Sequence, residues 1–313
     1  MRLCWIRTLF PSPALFFLLA AAAAPVHAQF SAKSPLDSEV PHFGAQEVLE
    51  AFERGYPGRF SPPEKYRGDW SILLDGERYL WSEGRLLPEA LADEAKDWSP
   101  HPFYTYPEEL PPVRRLDSYE RDRLIALAAL RDREPPERCP DFFDRLWGSP
   151  DEKSAWNRMK TIRFLGREIL VNRSLLEEIA EIEAEVLELS SGDRGVRVWI
   201  DGIGETGSWL WREIAGTKSR SYHAYGAAID LVPSRSGSKA WYWLSARDSG
   251  LPWYELPYDK RSSVPASVVS AFERHGFVWG GKWRFWDMVH FEYRPEILIL
   301  NGQRPFVQVA PSR

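Results

Sequence analysis

One ten-residue segment, SYHAYGAAID at positions 221–230, constrains the fold of this chain more than any other. It places His223 and Asp230 seven residues apart, with Gly226 between them to turn the backbone, and it surrounds Asp230 with apolar residues typical of a buried strand. A buried carboxylate is costly unless a cation compensates its charge. The segment therefore predicts either a metal ligand at Asp230 or a structural ion pair with an Arg or Lys, and alone it favours neither.

A second segment adds a histidine and a carboxylate, Asp287 and His290. His223, Asp230 and His290 make a three-ligand set, and a catalytic zinc ion takes three protein ligands and leaves the fourth position to water. Asp287 would hold that water and accept its proton. The competing interpretation is that Asp287 is itself a fourth metal ligand. Residues three apart in a regular strand face opposite sides, so the chain must bend between Asp287 and His290 if both reach one metal ion.

The two segments together resemble a family of zinc peptidases. The pattern Ser-x-His-x-x-Gly-x-Ala-x-Asp, followed by an acidic residue, two others and His, is similar to that of the D-alanyl-D-alanine carboxypeptidases of the VanY type. It also resembles the related L-alanyl-D-glutamate endopeptidases of phage lysins. Residues 276–295 (GFVWGGKWRFWDMVHFEYRP) and the Trp211-Arg212 pair look closest to this endopeptidase branch. The resemblance covers about residues 160–300.

The resemblance implies one bound zinc ion, held by His223, Asp230 and His290. It implies a catalytic acid at Asp287, where many relatives carry Glu. It also implies that Arg212 polarises the scissile carbonyl or holds a substrate carboxylate, because a fixed guanidinium suits either task. A surface arginine on a helix is the competing interpretation of Arg212.

Two further residues could support the metal ligands. Ser221 or Glu292 could accept a hydrogen bond from the free ring N–H of a ligand histidine. The competing interpretations are a turn residue for Ser221 and a solvent-facing side chain for Glu292. His275 lies at the end of a predicted helix, where a cation complements the helix dipole, so we predict a structural role for it.

The first 28 residues have the pattern of a secretory signal peptide. Arg2 and Arg7 precede an apolar run from Ala14 to Ala24, and Val26-His27-Ala28 resembles a cleavage site. The apolar run is short for a membrane span. We therefore predict an exported protein, periplasmic or secreted, without a stable membrane anchor, and an uncleaved N-terminal anchor is the alternative.

Composition indicates which classes of partner the exported chain can bind. Without Arg2 and Arg7 the 40 Lys and Arg fall to 38, against 45 Asp and Glu, so the formal net charge moves from −5 to −7. An acidic chain without basic clusters does not predict nucleic-acid binding. Of the two cysteines, Cys4 leaves with the signal peptide and Cys139 stays alone, so no internal disulfide is expected.

Proline content and hydrophobic periodicity divide the rest of the chain. We predict a Pro-rich extension at 29–157 that packs on the catalytic domain, a catalytic domain at 158–300 and a tail at 301–313. A separate wall-binding domain is the alternative for residues 29–157. Strands interleaved with segregated helices predict an α+β fold, in which a small antiparallel sheet with flanking helices carries the zinc site. Helices are predicted at 45–54, 117–133, 141–147, 151–159, 174–190, 238–246 and 266–275. Strands are predicted at 70–74, 77–81, 161–165, 168–171, 195–201, 277–279 and 286–293.

These patterns lead to one main functional hypothesis. The protein would be an exported zinc peptidase that cuts the stem peptides of peptidoglycan, since export places it where that substrate lies. Carboxypeptidase and endopeptidase action both stay open. The alternative is a catalytically silent wall-binding module with a structural zinc, against which the presence of Asp287 argues. The sequence predicts no oligomeric state.

Overall fold

The computed structural model describes residues 43–234 and 239–306, so the predicted signal peptide and most of the predicted tail lie outside the described residues. Within them, no helix is long and apolar enough to cross a membrane. The helices are α1 Ala45–Gly55, α2 Ser118–Arg133, α3 Asp141–Trp147, α4 Glu152–Arg158, α5 Leu176–Gly192, α6 Arg194–Gly202, α7 Trp243–Asp248, α8 Ala266–Arg274 and α9 Pro295–Leu300. The strands are β1 Glu64–Tyr66, β2 Asp69–Leu74, β3 Glu77–Ser82, β4 Arg85–Pro88, β5 Met159–Phe164, β6 Arg167–Asn172, β7 Ile203–Gly207, β8 Ala228–Pro233, β9 Phe277–Trp279 and β10 His290–Tyr293.

The strands pair in small antiparallel sheets. A meander joins β1, β2, β3 and β4 in sequence order, and β5 and β6 form a separate hairpin. The remaining sheet has the order β7-β8-β10-β9. This mixture of helices and small antiparallel sheets agrees with the predicted α+β class, and the sheet centred on β8 and β10 carries the candidate site. The predicted domain boundaries stay predictions.

The hairpins turn at a non-glycine residue followed by glycine, both with positive φ. Asp75 and Gly76 connect β2 to β3 with φ angles of 48° and 84°. Two central residues with positive φ give the turn a twist that matches the flanking strands. The same pair of conformations recurs at Arg67-Gly68, Glu83-Gly84 and Leu165-Gly166. An Asp-Gly pair between two apolar-rich runs predicts such a hairpin, and the antiparallel pairing of β2 and β3 confirms it.

Helices α5 and α8 support the sheet that carries the candidate site. Phe272 of α8 stacks on Phe291 of β10, with ring centroids 3.9 Å apart. Successive side chains alternate along a strand, so this packing directs the neighbouring His290 to the opposite face of β10. Helix α5 contacts α8 in turn, and its apolar residues Ile179, Ile182 and Val186 are buried. The site strands are thus held on an apolar layer.

The predicted strand at 195–201 is wrong, because these residues belong to helix α6. The side chain of Asp193 accepts hydrogen bonds from two backbone N–H groups of the first turn, which caps the helix. The β-branched residues of this segment are typical of a strand, but local capping and helical burial outweigh that preference. Val196 is buried whereas Val198 is exposed, and the following strand begins at Ile203.

The predicted helix at 238–246 is helical only in its second half. Residues 235–238 lie outside the described residues. Ala240 and Tyr242 form isolated backbone bridges with distant segments, which holds this stretch extended. Helix α7 therefore begins at Trp243 and runs two residues beyond the predicted end.

Helix α2 has nearly the predicted bounds. The spacing of Leu124, Leu127 and Leu130 predicts that all three lie on one apolar face, and this prediction is partly wrong. Leu124 is buried, whereas Leu127 and Leu130 are exposed. The second buried residue of the helix is Ala128. Residues four apart lie on one helix face, so Leu124 and Ala128 define the face that meets the core.

The start and the solvent face of α5 also differ from the prediction. Ser174 is the predicted N-terminal cap, but a 3-10 turn, Arg173–Leu175, precedes α5, and Asn172 caps that turn by accepting the Ser174 N–H at 3.2 Å. Leu175, the residue before α5, makes no capping hydrogen bond with its side chain. Glu178 belongs to a Glu-rich face that we predict to be solvated, yet it is buried, and among the described residues one of its oxygens has no hydrogen-bond partner. Burial raises the pKa of Glu178 to about 7.

We expect the Glu178→Gln variant to gain more stability over the wild type at pH 8 than at pH 5. The pKa of Glu178 rises from its ordinary 4.5 to about 7 on folding. The folded chain therefore binds more protons between these values, and its stability falls as the pH rises through that window. The gain at pH 8 is at most about 3 kcal/mol. Urea unfolding of both proteins measures it, and an equal gain at the two pH values would contradict the explanation.

Candidate metal centre

Strands β8 and β10 place Asp230 and His290 side by side. The two residues are register partners in the antiparallel pair, so their side chains share one face of the sheet. On the other side of β8, Gly207 of β7 lies opposite Asp230. A Cβ atom at Gly207 would lie 2.9 Å from Oδ2 of Asp230, so glycine leaves the space that this carboxylate occupies.

A tight turn delivers His223 to the same place. His223 lies in a single 3-10 turn, Tyr222–Tyr225, which Ser221 caps by accepting the His223 backbone N–H at 3.3 Å. Gly226 ends the turn with a φ angle of 66°. A Cβ atom at Gly226 would lie 2.4 Å from Sδ of Met159, so both the conformation and the close packing require glycine.

The three predicted ligands converge. Nδ1 of His290 lies 2.8 Å from Oδ1 of Asp230, and Nε2 of His223 lies 3.3 Å from Oδ2 of the same carboxylate. The two ring nitrogens are 3.2 Å apart. All three ligand atoms lie within 4.8 Å of one another, so His223, Asp230 and His290 form a group that could hold a metal ion.

The outer nitrogen of each ring fixes its tautomer. Nδ1 of His223 lies 2.6 Å from the carbonyl oxygen of Ser208, which can only accept, so Nδ1 carries the proton. Nε2 of His290 lies 3.1 Å from the carboxylate of Glu292 and donates to it. In these tautomers each inner nitrogen can offer a lone pair to a cation, beside the Asp230 carboxylate. A bound cation would then take the place of the proton through which a ring nitrogen otherwise bonds Asp230.

The electrostatics of the group favour a positive charge at its centre. Burial opposes the ionised form of Asp230, but hydrogen bonds from both histidines hold the pKa of Asp230 well below its usual value. Burial likewise opposes the charged form of His290, but Asp230 and Glu292 raise the pKa of His290 well above its usual value. The negative charges of Asp230 and Glu292 attract a proton or a metal cation bound at this point.

Of the two predicted supporting residues, only Glu292 contacts a ligand ring. The Ser221 hydroxyl bonds the backbone of its own turn, as in the competing interpretation, and the carbonyl of Ser208 holds the His223 ring instead. Sequence reasoning missed Ser208 because a backbone carbonyl leaves no signature in the residue types. Glu292 is buried, so its predicted solvent-facing alternative is wrong.

The chain bends between Asp287 and His290, as predicted. Strand β10 begins only at His290, so the predicted strand at 286–293 is wrong in its first half, and Met288 and Val289 form a bend. The backbone N–H of Asp287 donates to the carbonyl of Gly280 at 3.0 Å. This contact holds Asp287 at the edge of the site while β10 carries His290.

The Asp287 side chain is not a member of the ligand group, but it lies close enough to interact electrostatically with His290 and Asp230. Burial raises the pKa of Asp287 to about 7, with His290 and Arg212 lowering it and Asp230 raising it. A carboxyl group with a pKa near 7 can exchange protons near neutral pH. The position suits the predicted base, and that role stays a prediction.

Arg212 lies near Asp287 but makes no hydrogen bond to the ligand group. It is exposed, and its Nη1 donates to the carbonyl of the neighbouring Glu213 at 3.1 Å. It lies in an irregular segment before the His223 turn, so the competing interpretation of a surface arginine is wrong in placing it on a helix. Its predicted contact with substrate stays a prediction.

Comparison with known families agrees with the resemblance that the sequence predicts. Residues 215–293 match the family model described as D-alanyl-D-alanine carboxypeptidase, and this segment contains His223, Asp230, Asp287 and His290. The match confirms the predicted resemblance and supports a hydrolase that acts as a peptidase. Residues 48–103 match a model described only as a domain of unknown function. Neither the curated proteins nor the solved structures give a match.

Proposed function

We propose that this protein is an exported zinc metallopeptidase that hydrolyses peptide bonds in the stem peptides of peptidoglycan. One observation carries the proposal. Two imidazole lone pairs and a carboxylate converge, at 2.8 to 3.3 Å, inside the segment that matches the carboxypeptidase model. Two histidine nitrogens and one carboxylate oxygen are a ligand set of catalytic zinc sites, which leave one position open.

Each side chain has a distinct task in this proposal. His223, Asp230 and His290 hold the ion, which supplies a water of lowered pKa and polarises a carbonyl when bound. Asp287 accepts a proton from the attacking water and returns it to the leaving amine. Arg212 binds the carbonyl or a carboxylate of the substrate, as its exposure and its proximity to Asp287 allow.

The proposed location follows from the N-terminal sequence. Arg2 and Arg7, the apolar run and the small residues before position 29 are the pattern of a secretory signal peptide. Peptidoglycan lies outside the cytoplasm, so export would bring the enzyme to its substrate. The proposed substrate class and the proposed location support each other.

Defined muropeptides test the proposal. We expect the purified protein to cleave a stem peptide when zinc is present, with products identified by mass spectrometry. Loss of a terminal D-alanine would establish a carboxypeptidase, and cleavage between L-alanine and D-glutamate would establish an endopeptidase. Failure of the zinc-loaded protein to cleave any stem peptide would contradict the proposal, and binding without turnover would favour a silent wall-binding module.

A further inference from the structure

A chain of buried charged groups extends from His290 away from the ligand group. Glu292 contacts His290 through Oε2, and its Oε1 lies 3.3 Å from Nη1 of Arg294. The Nε of Arg294 donates to Glu296, whose second oxygen accepts the Tyr56 hydroxyl at 3.0 Å. All of these side chains are buried. We call Glu292, Arg294, Glu296 and Tyr56 the buried charge network.

The network ends in a part of the chain that lies far from the peptidase match in sequence. Tyr56 follows α1 and belongs to the segment 48–103, which matches the domain of unknown function. The same segment supplies the carbonyl of Pro102, which accepts a hydrogen bond from Nη2 of Arg294 at 3.3 Å. Helix α1 packs closely on α9, since a Cβ atom at Gly55 would lie 3.2 Å from the backbone nitrogen of Glu296. The segment 48–103 therefore supplies the hydrogen bonds at the end of the network that lies away from His290.

The contacts of the network depend on one another. A single guanidinium, that of Arg294, serves two buried carboxylates, and the Tyr56 hydroxyl supplies a further donor to Glu296. Without that hydroxyl, Glu296 would draw Arg294 more strongly and weaken its longer contact with Glu292. A loosened Glu292 would hold the His290 ring less well. Carboxylates that accept from a ligand histidine fix its orientation and raise its basicity towards the metal.

We infer that the segment 48–103 completes the metal centre, by holding the buried charge network against the ligand His290. The inference rests on the proposed function, since it assigns this segment a part in zinc binding. Glu292 is a positioning residue, because it touches a metal ligand and not the substrate, and Tyr56 acts on the same ligand through Glu296 and Arg294. The segment thereby belongs to the peptidase site rather than to a separate wall-binding unit.

Zinc affinity, measured by competition with a chromophoric chelator, tests the inference without relying on activity. The variants are Glu292→Gln and Tyr56→Phe, with Tyr79→Phe as the matched control. Tyr79 is buried in the same segment and donates to a carboxylate, that of Asp141, at 2.5 Å, but this carboxylate is not a member of the network. Urea unfolding of the Tyr56 and Tyr79 variants shows whether both lose a similar amount of stability.

We expect Glu292→Gln to weaken zinc binding about 10- to 100-fold, as loss of such supporting contacts does. Tyr56→Phe should weaken it by about threefold to tenfold, because it lies further along the same set of contacts. Tyr79→Phe should lower the urea midpoint and leave zinc affinity unchanged. The absorption spectrum of the cobalt(II)-substituted Glu292→Gln variant should also shift relative to the wild type.

Two results would overturn the inference. If Glu292→Gln binds zinc as tightly as the wild type, Glu292 does not support the metal ligand. If Tyr56→Phe and Tyr79→Phe bind zinc equally tightly, the segment 48–103 has no part in zinc binding. If the Glu292 variant fails to fold, the tyrosine pair decides. Failure of the proposed function is distinguishable, because the wild type would then bind no zinc or cleave no stem peptide.

Discussion

His223→Ala is expected to lose its zinc and at least about 1,000-fold in kcat/KM for stem-peptide hydrolysis, since metal catalysis supplies several kcal/mol of transition-state stabilisation. The substitution removes one of three ligands and leaves the carbonyl of Ser208 without its donor. Asp230 and His290 alone give two ligand atoms, too few for a zinc site. Zinc content per chain and product formation from a defined muropeptide, measured on the same preparation, check this result.

His275→Ala is the matched control for that experiment. His275 is also a buried histidine, but it lies beside Glu181 and Glu185 and outside the ligand group. This variant should be less stable and should keep both zinc and activity. Retention of full zinc content and activity by His223→Ala would show that the converging lone pairs are not the metal site.

Asp287→Asn is expected to lower kcat by about 100- to 10,000-fold, the usual contribution of a positioned proton acceptor. Asn has the same shape as Asp but cannot accept the proton of the attacking water. Zinc affinity should stay close to that of the wild type, because Asp287 lies outside the group of converging ligand atoms. Steady-state kinetics and chelator competition on one preparation separate the two effects.

The same two measurements distinguish the competing assignment of Asp287. If Asp287 were a fourth ligand, its replacement would weaken zinc binding together with kcat. A parallel loss of affinity and rate would therefore contradict the role of proton acceptor. An unchanged rate would remove Asp287 from the reaction altogether.

The elements that the sequence predicts best are those governed by local contacts. Helices α1 and α3 and the β2–β3 hairpin follow from periodicity, proline positions and the Asp75-Gly76 turn, all of which act within a few residues. Helix α6 is mispredicted because Val196 and Val198 are typical of strands, while the Asp193 cap decides the structure. The buried Glu178 is missed because the burial of a helix position depends on the segments that pack against it, which local sequence does not reveal.

The candidate site shows the same division. The residues that converge, His223, Asp230 and His290, come from two motifs that the sequence displays directly. The contacts that orient these side chains are not visible in the sequence. Tyr56 and Glu296 are 240 residues apart in the chain, and no periodicity or spacing connects positions at that separation. Such contacts emerge only when the folded segments pack together.

The most direct test of the central claim is zinc titration of the chelator-treated protein, with hydrolysis of a defined muropeptide followed at each addition. The convergence of His223, Asp230 and His290 predicts no cleavage without metal and full cleavage after one equivalent of zinc per chain. Undiminished cleavage by the metal-free protein, or no cleavage at any zinc concentration, would contradict it.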